Sequence, residues 1–177
     1  MASKASQKRA EERPRGSFAI YRDGGTTPEI RLTVLLVLVA RRWRSLLDEK
    51  LRPTGQSSAR MEALSAIVNS PEHSAQVDIA RRLRIEGPTL TRMLDTLEKD
   101  GLVERLPDPG DRRSKQLQLT GEGEAVLEEI FAVADVYRER LLAGVDGEAL
   151  EAATGFLAGL LEKLDSGLPG DEHSPPA

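Results

Sequence analysis

The sequence predicts a mainly α-helical chain with one small β-hairpin, in which long helices at both ends enclose a compact middle. Three observations predict it. Apolar residues recur at helical spacing over 32–47 and again over 150–164. Two short periodic segments, 77–83 and 90–97, meet across Glu86-Gly87-Pro88. Residues 102–106 and 116–119 then alternate around Asp108-Pro109-Gly110-Asp111, which reads as two strands and a charged tip.

Residues 1–25 mix Ala, Ser, Lys, Arg and Glu and end in Asp23-Gly24-Gly25, too polar to bury much surface. They read as a flexible basic tail, with Phe18, Ile20 and Tyr21 free to dock. Thr27-Pro28-Glu29 then supplies an N-cap, a first-turn proline and an acid suited to the helix dipole. The first helix therefore spans about 27–52, until Arg52-Pro53 stops it. Its stripe is Leu32, Leu36, Val39, Trp43 and Leu47, widened by residues 34–38 as in a helix buried between subunits.

A second helix fits 57–69, with Met61, Leu64 and Val68 inward and Asn69-Ser70-Pro71 as its end. The third fits 74–84, capped by Ser74 and lined inside by Val77, Ala80 and Leu83. After the break at Pro88 the fourth carries Leu90, Met93, Leu94 and Leu97, and Asp100-Gly101 ends it. Past the hairpin, Thr120 caps a fifth helix with Glu122 and Glu124 in its first turn and a stripe of Val126, Ile130, Val133, Tyr137 and Leu141. Asp146 opens a sixth, where Leu150, Ala153, Leu157, Leu160 and Leu164 form a seam for a partner helix. Residues 167–177 read as a second flexible tail.

The chain has 177 residues, 39% of them apolar and 31% charged, enough for one domain or two small lobes. It has no cysteine, which excludes disulfides and thiolate metal sites and fits a reducing cytoplasm. The densest apolar run, 32–40, falls well short of the roughly 20 residues that cross a bilayer, and no secretory signal is visible. Net charge is −4, yet residues 1–52 hold twelve Lys/Arg against six Asp/Glu while 121–177 hold three against thirteen. Residues 74–120 are nearly balanced, so a nucleic-acid contact there depends on local placement. Only six aromatic residues are present, too few for single-strand stacking. No nucleophile–base pair, phosphate-binding glycine loop or cofactor motif is found, which argues against an enzyme. His73 and His173 are too few and too far apart for a metal centre.

Residues 75–120 carry a more specific pattern. Asp111-Arg112-Arg113-Ser114-Lys115-Gln116-Leu117-Gln118-Leu119-Thr120 resembles the wing signature of the multiple-antibiotic-resistance regulator (MarR) family, and residues 77–83, 89–95 and 97–103 resemble that family's two motif helices and first wing strand. The likeness is close over about 45 residues and extends, by helix order and length, over roughly 27–166. It implies a winged helix-turn-helix lobe (about 55–120) joined to a helical dimerisation lobe built from the terminal helices (about 27–52 and 120–166), all within a domain spanning 26–166. It also implies a two-fold dimer that lays its fourth helix in the major groove of double-stranded DNA and its wing beside the minor groove.

The fourth-helix leucines face the core, which leaves Pro88, Thr89, Thr91 and Arg92 outward near the helix N-terminus, where phosphate and bases are met. Arg92 can fork onto guanine, hold a phosphate, or pair with Asp95. Thr89 and Thr91 can contact DNA or serve as local caps. Arg112, Arg113 and Lys115 give the hairpin three positive charges, suited to phosphate or the minor groove, where a solvated tip is the plain alternative. Asp111 reads as a structural partner of Arg113. Ser74 and Gln76 are candidate backbone contacts, although Ser74 is first of all a cap. Glu86 would repel phosphate and is read as a cap or as pointing aside.

The resemblance further implies a small effector, an aromatic acid or related anion such as an acyl thioester, held between the dimer helices and the reading lobe. Trp43, Ser57, Arg60, Met61 and Ser65 are the candidates. Core packing for the Trp and a salt-bridged edge for the Arg are the competing readings. The function expected is a ligand-released homodimeric repressor acting on a pseudo-palindromic operator; the alternative is a winged-helix module that joins other proteins.

Overall fold

The computed structural model describes residues 17–71, 74–107 and 115–168. The elements run α1 (Ser17–Arg22), α2 (Pro28–Leu51), a 3-10 turn (Arg52–Thr54), α3 (Ser58–Val68), α4 (Gln76–Leu83), α5 (Gly87–Lys99), β1 (Val103–Pro107), β2 (Lys115–Leu119), α6 (Gly121–Leu142) and α7 (Gly147–Ser166). This is a mainly helical fold with a two-stranded antiparallel wing, as the sequence predicts. The chain divides into two compact units, Met1–Phe131 and Ala132–Ala177, with the boundary inside α6.

The helix starts are set by side chains that occupy orphan amides. Thr27 accepts from the Ile30 N–H, with Pro28 next to it. Ser57 accepts from the Arg60 N–H, Thr120 from the Gly123 N–H, and Asp146 from Glu148 and Ala149. A longer-range cap joins α2 to α3: the Asp48 carboxylate accepts the Ser58 N–H at 2.7 Å. That bond, with the Ser58 hydroxyl second, holds the Asp48 carboxyl below its usual range. One helix start differs from expectation. Ala75, not Ser74, stands at the N-cap of α4, and the Ser74 hydroxyl donates to the Pro71 carbonyl at 2.7 Å.

The core of the first unit gathers Leu47 and Leu51 of α2, Ala63, Leu64 and Ile67 of α3, Ile79 of α4, Leu90, Leu94 and Leu97 of α5, and Leu102 and Val103 leading into the wing. Two residues expected inside are not there. Val68 is 53% exposed and Val77 60%, because α3 turns Ala63 and Ile67 inward and α4 turns Ile79 and Ala80. A further difference is at the N-terminus, where residues 17–22 of the expected tail form α1 and hold Phe18 and Tyr21 exposed.

The turn between α4 and α5 is three residues long and is made by Arg84 in the left-handed region (φ 52°). Its amide and that of Ile85 bond back to Arg81 and Ala80, closing the α4 carbonyl end. Gly101 (φ 74°) does the same after α5, with the Leu102 N–H on the Leu97 carbonyl at 2.9 Å. The wing strands pair Val103 with Leu119 through to Pro107 with Lys115, and a single bridge from Ala75 to Gln116 ties α4's start to β2.

The long helices are open along their apolar stripes. On α2, Val34, Leu35, Val37, Leu38 and Val39 are exposed. In the second unit the same holds for Leu150, Phe156, Leu157, Leu161 and Leu164 of α7.

Candidate nucleic-acid interface

The start of α5 is built to present its first turn. Leu90, Leu94 and Leu97 are fully buried and fix the helix on one side, which sends Pro88, Thr89 and Arg92 outward; Thr91, expected outward with them, is half-buried because its hydroxyl is taken up by Gln76 and the Gly87 carbonyl. Glu86 occupies the N-cap position, but its side chain makes no capping bond, so the first amides of α5 have no side-chain acceptor there. Such an end, with its partial positive charge, is suited to an anion.

Two further pieces converge on this turn. Gln76 at the start of α4 donates from its amide to Thr91 Oγ1 at 2.7 Å, and Thr91 donates its own proton to the Gly87 carbonyl at 3.0 Å. The two helix N-termini are thereby tied together by a hydroxyl that is half-buried. The Ala75–Gln116 bridge brings exposed Lys115, the first residue of β2, to the same corner. The start of α4 thus joins the first turn of α5 through Gln76 and Thr91, and joins β2, next to Lys115, through the Ala75–Gln116 bridge. Asp111, Arg112 and Arg113 lie outside the described residues, as do His73 and His173.

Arg92 and its neighbours divide the charge unequally. Among the described residues the Arg92 guanidinium has no hydrogen-bond or ion-pair partner, so the pairing with Asp95 considered from the sequence is not made. Asp95 is instead engaged by Arg105 of β1 at 2.7 Å, and the same guanidinium reaches Glu98 at 2.6 Å. Arg105 escaped sequence reasoning because nothing in a strand's alternation says which helix it faces.

The residues nominated for an effector have structural engagements. Arg60 forms an ion pair with Asp100 at the end of α5 and donates to the Gly55 carbonyl at 3.4 Å. Ser57 caps α3; Trp43, Met61 and Ser65 are half-buried. A cavity of about 550 Å³ opens elsewhere, lined by Ile67, Val68, Ser70, Gln116, Leu119 and Glu124 among others and by none of those five. No group of three or more metal-ligating side chains is assembled among the described residues, nor is any helix there long and apolar enough to cross a membrane.

Comparison with known proteins finds the same fold. The model of the MarR family matches residues 57–115. A crystal structure of transcriptional regulator PA3341 is 34% identical, with 77% of this chain and 99% of that one covered and a TM-score of 0.69. A mutant MarR from E. coli complexed with operator DNA is 28% identical over 75% of this chain and 94% of that one, with a TM-score of 0.67. A transcriptional repressor, CouR, bound to a 23-mer DNA duplex is 28% identical over 73% and 92%, also at 0.67.

Proposed function

The chain belongs to the MarR family of transcriptional regulators, and from that membership we propose that it is a homodimeric repressor that reads a pseudo-palindromic operator in double-stranded DNA. The observation that carries this reading is the first turn of α5. A helix locked by three fully buried leucines holds out Pro88, Thr89 and an Arg92 whose guanidinium has no partner among the described residues, and Lys115 is exposed at the start of β2. In a major groove, Arg92 forks onto a guanine edge while the α5 amides, Thr89, Ser74 and Lys115 hold phosphates. Thr91 and Gln76 contribute through each other, setting the spacing of the two helix ends, and Arg112 and Arg113 supply the wing's contact with the minor groove.

The open apolar stripes of α2 and α7 support the dimer, since faces of this kind seek a second copy. A small aromatic acid or acyl thioester, held near Trp43, Met61 and Ser65, relieves repression. An anion recruited by Arg60 there competes with Asp100 for the guanidinium.

Footprinting against genomic fragments at physiological salt tests the reading. Two protected half-sites about one helical turn apart are expected; uniform cleavage across every fragment overturns it. A thermal-shift screen of aromatic carboxylates and acyl thioesters tests the effector, because a ligand that binds only the folded chain raises its melting temperature.

A further inference from the structure

Among the cationic side chains near the reading helix, Arg105 faces inward instead of outward. Its side chain is 19% exposed, and it spans from β1 to two carboxylates on α5, Asp95 at 2.7 Å and Glu98 at 2.6 Å. These acids stand about one and two turns beyond Arg92 on the helix proposed to enter the groove. Left alone, Asp95 sits at the i,i+3 spacing that captures Arg92, and both acids repel the phosphates that line the groove.

We infer that Arg105 is a positioning residue for DNA reading: by occupying Asp95 and Glu98 it keeps Arg92 free for the base edge and offsets one of the two negative charges that these acids put on the helix. The inference rests on the DNA-binding reading of α5. It differs from a plain structural brace in sign. A brace is weakened by loss of either end, whereas a charge shield becomes unnecessary once the acids are neutral.

The test compares the wild-type chain, Arg105→Ala, Arg105→Lys, the Asp95→Asn/Glu98→Gln double variant and the triple variant carrying Arg105→Ala as well. Each is titrated with a mixed-sequence duplex and with a footprinted fragment, alongside a thermal melt. Arg105→Ala is expected to weaken binding roughly five- to tenfold, the size of one uncompensated charge near a phosphate. The triple variant, with neither acid charged and no Arg105, binds at least as tightly as wild type, and the double variant, with Arg105 released, binds more tightly still. Arg105→Lys retains most of the affinity because the charge persists. Equal binding by wild type and Arg105→Ala overturns the inference, and so does a double variant that binds more weakly. Should Arg105→Ala fail to fold, the double variant and Arg105→Lys decide the sign alone. A wild-type chain that binds neither duplex overturns the DNA reading and this inference with it; a wild-type chain that binds, with variants that do not follow the charge, overturns this inference only.

Discussion

Gly123, in the first turn of α6, lies so close to the Leu102 carbonyl that a Cβ there would stand 2.0 Å from the oxygen. The Thr120 N–H donates to that same carbonyl at 3.1 Å, and the Thr120 hydroxyl donates to Gly101. The end of α5, the start of the wing and the start of α6 are therefore welded at one point, which only a residue without a side chain permits. Gly123→Ala is expected to cost about 1–3 kcal/mol of unfolding free energy, although Gly→Ala inside a helix ordinarily gains up to about 1. Gly121→Ala, which meets nothing within 4 Å, is the control and is expected to be neutral or slightly stabilising. Urea unfolding of the two variants checks this.

The bond from the Ser58 N–H to Asp48 predicts a pH dependence. The folded carboxyl titrates below its ordinary value, so its contribution is present above the unfolded value near about 4 and is lost as pH falls through the folded one. Asp48→Ala should lower stability by about 1 kcal/mol at neutral pH. The gap between variant and wild type should close as the solution is acidified below about pH 4. A gap that stays constant down to pH 3 would exclude the cap as its source.

Base reading and phosphate holding separate by salt. Replacing Arg92 with Ala should relax preference at one base pair by about 1–3 kcal/mol. Lys115→Ala should weaken all sequences alike and reduce the salt slope by about one. Titrations of operator and single-substituted duplexes at several salt concentrations distinguish the two.

Charge placed on the apolar stripe of α7 should dissociate the proposed dimer. Leu157 and Leu161 are 44% and 46% exposed, and in the proposed dimer Glu at either position would bury an unpaired carboxylate between copies. Sedimentation should show a monomer for Leu157→Glu or Leu161→Glu, with operator affinity falling as the second half-site contact is lost; an unshifted dimer would exclude this face.

Much of this architecture is written locally. Thr27-Pro28, Ser57, Thr120 and Asp146 announce their helix starts because capping is a contact within three residues, and Leu90, Leu94 and Leu97 announce the buried side of α5 by their spacing. Val68 and Val77 mislead because a periodic stripe records apolarity, whereas burial is decided by which side of each helix meets its neighbours, here Ala63 and Ile67 on α3 and Ile79 and Ala80 on α4. The partnerships of Asp48 with Ser58, Arg60 with Asp100 and Arg105 with Asp95 join positions 10 or more residues apart. No local pattern specifies them. In the candidate site the outward positions of Pro88, Thr89 and Arg92 were legible, but the half-burial of Thr91 under Gln76 and the release of Arg92 from Asp95 depend on longer-range pairings.

The open stripes on α2 and α7 also bear on how the chain survives heat. If water is kept off those helices only by association, folding and pairing are one equilibrium, and stability is inseparable from protein concentration. Melting midpoints should then climb with each stepwise increase in concentration, and a cell making little of this regulator would hold it nearer to collapse than one making much.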